Sequence, residues 1–187
     1  MKYLIIGHPR SGTRYMYKLF KAVGILVRHE KMGRDGTSNW QVSFYNEFCA
    51  RKGIEPIKFD KVVHVVRNPI KVVESTYFTE NVPVSTRHRE RYLPQLKKIR
   101  EVDRDMLAYS IVSVVEWNRK IRTDVKVDIV MQVENADKVI CEFTNREFCG
   151  PKPSKKTNGR RHGSLDLQKH KLFNYLKEYA GEYGYAI

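Results

Sequence analysis

The sequence predicts a single α/β domain spanning residues 1–187, with a central, mostly parallel sheet between two helical layers. Three observations carry that expectation. Lys61 to Val66 reads KVVHVV, a continuous β-branched run of the kind found in strands covered on both faces. Tyr3 to Ile6 is a second short apolar run, and it stops at Gly7. Segments with apolar residues at helical spacing follow each run, and such alternation is how strand–helix–strand units build a parallel sheet.

In chain order, Tyr3–Ile6 is the first strand, and residues 8–13 form the loop after it. Met16, Leu19, Phe20 and Val23 then share one face of a helix, which Gly24 stops. Ile25 to Val27 is a second strand with Arg28-His29-Glu30 at its carboxyl end, and Gly33 to Gly36 is a loop. An amphipathic helix runs from about Asn39 to Arg51. Arg67-Asn68-Pro69 ends the KVVHVV strand, and the next helix starts at Pro69, where the missing N–H costs nothing. Val82 to Asp105 is polar, basic and at first irregular. Leu107, Ile111, Val114 and Ile121 mark a long helix, Val127–Val133 a strand and Ala136–Thr144 a helix. Pro151 to Gly163 is a loop with five Lys and Arg and no acid, after which Ser164 caps a last helix carrying Leu172, Leu176 and Tyr179. There is no internal repeat.

Thirty-five Lys and Arg against 21 Asp and Glu give a net charge of +14, which favours anionic partners such as nucleotides, nucleic acid, acidic glycans or headgroups. Cys49, Cys141 and Cys149 have no metal-ligand spacing, and their odd number argues for reduced thiols. No apolar run reaches the length of a signal segment or a membrane span, so a soluble cytoplasmic protein is expected.

Ligands of open parallel sheets bind beyond the carboxyl ends of the strands. Here those ends carry Gly7 to Thr13, His29-Glu30, Arg67-Asn68 and Glu134. Gly7-His8-Pro9-Arg10-Ser11-Gly12-Thr13-Arg14 has the G-x-x-x-x-G spacing of a phosphate loop between strand and helix. A nucleoside triphosphatase would continue Lys-Ser/Thr. This chain continues Thr13-Arg14 and places its cation inside the loop, at Arg10.

The string Pro9-Arg10-Ser11-Gly12-Thr13-Arg14-Tyr15 resembles the 5′-phosphosulfate loop of sulfotransferases that use 3′-phosphoadenosine 5′-phosphosulfate (PAPS). That loop is written PKSGTTW in cytosolic members and PRSGTT in many bacterial and tyrosylprotein enzymes. The family has a second signature, an Arg after a strand and a Ser eight residues later on the next helix, both on the 3′-phosphate. VVHVVRNPIKVVEST places Arg67 and Ser75 at that spacing. A guanidinium supplies paired donors and a hydroxyl two turns along supplies another.

The resemblance implies a P-loop NTPase-like three-layer α/β/α fold, PAPS as donor without a metal, and transfer of a sulfuryl group to a hydroxyl acceptor. It implies donor contacts from Arg10, Ser11, Gly12, Thr13, Arg14, Arg67 and Ser75. Tyr15 stands where cytosolic members stack a tryptophan on adenine; a helix residue packed in the core is the other reading. Arg160 and Arg161, in the run Gly159 to Gly163, resemble the late basic loop that closes over the 3′-phosphate, although a solvated basic loop reads the same way. A glutamate at the place of Glu30, 23 residues after Gly7, looks to be the base of tyrosylprotein members, so Glu30 is the first candidate to take the acceptor proton. Alternation along the strand turns His29 to the other face, and His64 reads as a core histidine. The Lys-Thr-His string of cytosolic members is absent. Catalysis then rests on Glu30 and on Arg10, beside the transferring group.

Val82 to Asp105, with Arg87, Arg89, Arg91, Lys97 and Lys98, has the length of an acceptor lid for an anionic glycan or lipid; a solvated charged helix pair fits it equally. Two other functions remain open at this level. One is a P-loop nucleotide kinase or NTPase with a degenerate loop. The other is a basic nucleic-acid-binding domain, which the lack of aromatic interleaving disfavours.

Overall fold

The computed structural model describes residues 1–154 and 163–187. The chain packs as two compact units, Met1–Val66 with Lys120–Gly159 and Arg67–Arg119 with Arg160–Ile187. It is α/β, with five strands and eight α-helices among the described residues.

The first unit holds the sheet. Strands β1 (Tyr3–Gly7), β2 (Arg28–His29), β3 (Gly36–Ser38), β4 (Lys61–Val66) and β5 (Ile129–Gln132) lie in the order β2-β3-β1-β4-β5. Every pairing is parallel, with Gly7 opposite Val65 and Ile5 opposite Ser38. Side chains alternate across β1. Tyr3 and Ile5 join Val63, Val65 and Met131 under helix α1 (Thr13–Ala22) and helix α7 (Ala136–Thr144), with Phe20 edge-on to Tyr3. Leu4 faces the opposite side, where it meets Phe44 and Tyr45 at the start of helix α2 (Tyr45–Lys52). Helices on both faces of a parallel sheet are the arrangement expected of a three-layer α/β/α fold.

Several boundaries differ from the sequence reading: the helix expected from about Asn39 begins at Tyr45, after a 3₁₀ turn at Trp40–Val42, and β5 is Ile129–Gln132 instead of Val127–Val133. The second strand is Arg28–His29, not Ile25–Val27. Gly36, read as the end of a loop, opens β3. Residues 30–35 make an unusually short parallel connection, which Asp35 holds closed by accepting from Leu26 N–H (2.7 Å) and donating its own N–H to Leu26 O (3.2 Å). At Gly36 (φ 118°) a Cβ would lie 1.9 Å from Tyr3 O, so the packing of β3 on β1 needs glycine there.

The second unit is helical. Helix α3 (Pro69–Thr79) begins at Pro69, as expected, and Asn68 Oδ1 caps it by accepting from Lys71 N–H. Val82–Asp105 is mostly helical rather than irregular, comprising α4 (Pro83–Tyr92), α5 (Gln95–Lys98) and a π-turn at Ile99–Asp103. Helix α6 (Met106–Asp124) follows, and the last helix, α8, is Phe173–Glu182, starting later than Ser164. Val72, Val73, Ile111, Val115, Leu176 and Tyr179 form the core of this unit. Among the described residues no helix is long and apolar enough to cross a membrane.

Candidate anion-binding site

The site is built where β1 ends. A Cβ on Gly7 would come 2.5 Å from Val65 O, so β4 can lie close only beside glycine. Gly7 O accepts from Ser43 Oγ (3.1 Å), which fixes the exit of the chain. His8 is fully buried and donates through Nδ1 to Pro9 O (2.6 Å), and Ser11 N–H closes the turn on His8 O (3.0 Å).

The next residues alternate in hand. Arg10 has φ 72° and Gly12 φ 101°, while Ser11 between them keeps a negative φ and Thr13 enters α1. Alternation of this kind curls successive N–H groups into a concave nest for an anion. Gly12 is the N-cap of α1, which has neither a side-chain cap nor an acid in its first turn. Its first N–H groups and the positive end of its dipole are thus not compensated by its own residues. A non-glycine residue held at positive φ costs roughly 1–3 kcal/mol, and such strain concentrates at functional turns. Ser38 Oγ donates to Thr13 O (2.7 Å), tying the start of α1 to β3.

The loop also sits at the switch point of the sheet. From β1 the chain passes to β2 and β3 on one side, then returns to β4 on the other. Crevices form at such reversals, at the carboxyl ends of the strands.

At the end of β2 the structure corrects the expectation for His29. Its Nε2 lies 3.4 Å from Thr13 Oγ1 and 4.0 Å from Glu30 Oε1, so the imidazole turns toward the loop instead of away. The reason is that β2 lasts only two residues, and Glu30 leaves it in the left-handed region (φ 56°), which breaks simple alternation. Burial pushes the His29 pKa below 6.5, Glu30 pulls it back and Arg14 lowers it further, so the ring is neutral at neutral pH. Glu30 is 47% exposed beside it, its N–H bonded to Ser38 O (3.1 Å).

The remaining expected site residues divide as follows. Ser11 and Thr13 are buried, Arg10 and Gly12 half-buried and Arg14 exposed. Tyr15 is 4% exposed and packs in the core with Met16 and Phe20, so it is a core residue and offers no open ring face for stacking. Its phenol, pushed up to about 12 by burial and then by Asp137, stays protonated. Arg67 (half-buried) and Ser75 (buried) belong to the second unit, Ser75 on α3 as expected. Arg160 and Arg161 lie outside the described residues. His64 is a buried residue of β4, in keeping with its reading as a core histidine. Sequence reasoning missed Ser38 and Ser43, because an isolated serine gives no sign that its hydroxyl will brace a distant turn.

Gly12 supplies a direct test of this geometry. Gly12→Ala adds a Cβ 2.5 Å from Val133 Cγ2 at a φ of 101°. The expected loss is about 1–3 kcal/mol of stability from overpacking and strain, read by urea unfolding, with anion affinity falling as the turn shifts.

No family model matches the chain, and no curated protein or solved structure matches it.

Proposed function

We propose that the chain is a PAPS-dependent sulfotransferase, moving a sulfuryl group from the donor to a hydroxyl, with a carbohydrate as the candidate acceptor. The observation that carries this reading is the loop at Gly7–Thr13. Its alternating backbone hand and uncapped helix start make a phosphate cradle that contains Arg10 and lacks the lysine of a nucleoside triphosphatase. The Arg67…Ser75 spacing adds the second half of the resemblance. The three free thiols suit a reducing compartment such as the cytoplasm.

In the proposed reaction an acceptor oxygen attacks sulfur in line as the bond from sulfur to the 5′-phosphate oxygen breaks. The electron pair leaves on that phosphate, where Arg10 and the N–H groups at the start of α1 stabilise it. The acceptor proton passes to Glu30, with His29 beside it. Arg67 and Ser75 hold the 3′-phosphate and do not touch the reacting atoms. No metal enters any step, and nucleic acid is not an expected partner.

Calorimetric titration tests the reading. Adenosine 3′,5′-bisphosphate and PAPS are expected to bind without magnesium, and ATP with magnesium to bind more weakly. Arg67→Ala is expected to cost about 10- to 100-fold in affinity for the bisphosphate, the size of a lost charge-assisted bond, and far less for adenosine 5′-phosphate. Equal losses for the two nucleotides, or no heat with PAPS, would overturn it. Salt-sensitive DNA binding in place of nucleotide binding would favour the nucleic-acid reading.

A further inference from the structure

The second unit carries a pocket of its own. The end of α3, helix α4, the π-turn and the start of α6 border an open cleft of about 740 Å³, lined by Tyr77, Asn81, Thr86, Arg87, Arg100 and Met106 among others. Directly behind it lies Arg89, 0% exposed, in a segment that reads from sequence as a row of solvated cations. Arg89 donates to Glu80 O (2.9 Å), Asn81 Oδ1 (3.1 Å), Ser113 Oγ (3.0 Å) and Ser85 O (3.4 Å), and its guanidinium lies 5.1 Å from the centre of the Tyr109 ring.

Every one of those acceptors is neutral. A guanidinium taken out of water is ordinarily matched by a carboxylate, because the desolvated charge is costly by itself. Burial does push Arg89 down from its usual value, against Tyr109, Glu80 and Glu90, but a guanidinium keeps its proton. The charge therefore stays and projects through Asn81, whose amide is fixed by Arg89 on one side and by Ser110 Oγ (3.0 Å) on the other.

The rim adds a second cation. Arg87 is exposed and donates Nε–H to Pro83 O (3.2 Å), with no carboxylate pairing among the described residues. Arg100 is neutralised, because Glu90 takes it bidentately at 2.6 and 3.1 Å and Glu101 takes it at 3.1 Å. Tyr77 and Met106 supply an aromatic face and a soft apolar one. Glu80 and Glu90 lie near enough to favour the Arg89 charge without bonding it, so the charge a neutral molecule would leave unanswered here is that of Arg87.

We infer that this pocket binds a ring-sized organic anion, a sugar or aryl ring bearing one carboxylate, with Arg87 as its direct partner and Arg89 as the fixed charge behind the wall. Binding stands independently of sulfuryl transfer. Only the further assignment of this anion as the acceptor rests on the function proposed above.

The test uses the full chain labelled at methionine methyls, without nucleotide, titrated with 4-nitrophenyl glucuronide and with the neutral 4-nitrophenyl glucoside. Met106 lines the pocket, whereas Met16 and Met131 sit in the core of the first unit and serve as unperturbed references, and far-ultraviolet circular dichroism reports that each variant keeps its helices. The Met106 signal is expected to shift saturably, with the glucuronide preferred by about tenfold, the size of one charge-assisted hydrogen bond. Arg87→Ala is expected to cut that preference to roughly threefold or less, while Lys177→Ala, which removes one charge from the exposed face of α8, leaves it intact. Equal affinity for the two glycosides, a silent Met106, or an Arg87→Ala protein that keeps the full preference would each overturn the inference. Because no PAPS is present, failure here is distinct from failure of the nucleotide titration.

Discussion

Glu30→Gln is expected to keep nucleotide affinity and lose about 10²- to 10⁴-fold in turnover, the usual contribution of a positioned base. Turnover is read as release of adenosine 3′,5′-bisphosphate from PAPS in the presence of phenolic and sugar acceptors. The amide preserves shape and removes the basic oxygen, so a fall in rate alone separates proton transfer from binding. His29 makes the experiment sharper. Its ring is neutral at neutral pH because burial depresses it, and it stands within 4.0 Å of the Glu30 carboxylate. If Glu30→Gln were unimpaired and His29→Asn inactive, the role would pass to His29. The rate would then rise with pH through a value below 6.5, since only the deprotonated ring accepts a proton.

Arg10→Ala is expected to lower turnover by about 10²- to 10³-fold, the effect of removing one donor aimed at developing charge. Affinity for adenosine 3′,5′-bisphosphate should fall much less, because the nest and the start of α1 remain. Arg10→Lys restores the charge but not the planar fork, and partial recovery is expected. Equal losses of turnover and of bisphosphate affinity would make Arg10 a ground-state anchor and remove it from the reaction.

What was legible in the sequence follows from how locally each element is encoded. β1, the loop, α1, β4 and the Pro69 start of α3 carry their own signals: an apolar run, a spaced pair of glycines, a proline at the first helical turn. β3 was invisible because Gly36-Thr37-Ser38 has no apolar run. Its buried polar groups are satisfied by distant partners, as when Ser38 Oγ reaches Thr13 O. The orientation of His29 was lost because a two-residue strand is too short for alternation to govern its end. Tyr15 was ambiguous between core and stacking residue, and only the packing of α1 decides. The burial of Arg89 defeats composition altogether, since its acceptors come from the end of α3, the turn after it and α6.

The way Arg89 is held has a further effect, on how the molecule meets acid. Carbonyls, an amide and a hydroxyl do not titrate, so the hydrogen bonds that tie this knot between helices keep their acceptors at any pH. Asp105 on the same unit does titrate: burial is outweighed by the Ala108 N–H, His170 and Lys171, which hold its carboxyl below the usual carboxylate range, so its pairs with His170 and Lys171 loosen as acid protonates it. Souring the solution should therefore fray the outside of the helical unit while its middle stays tied.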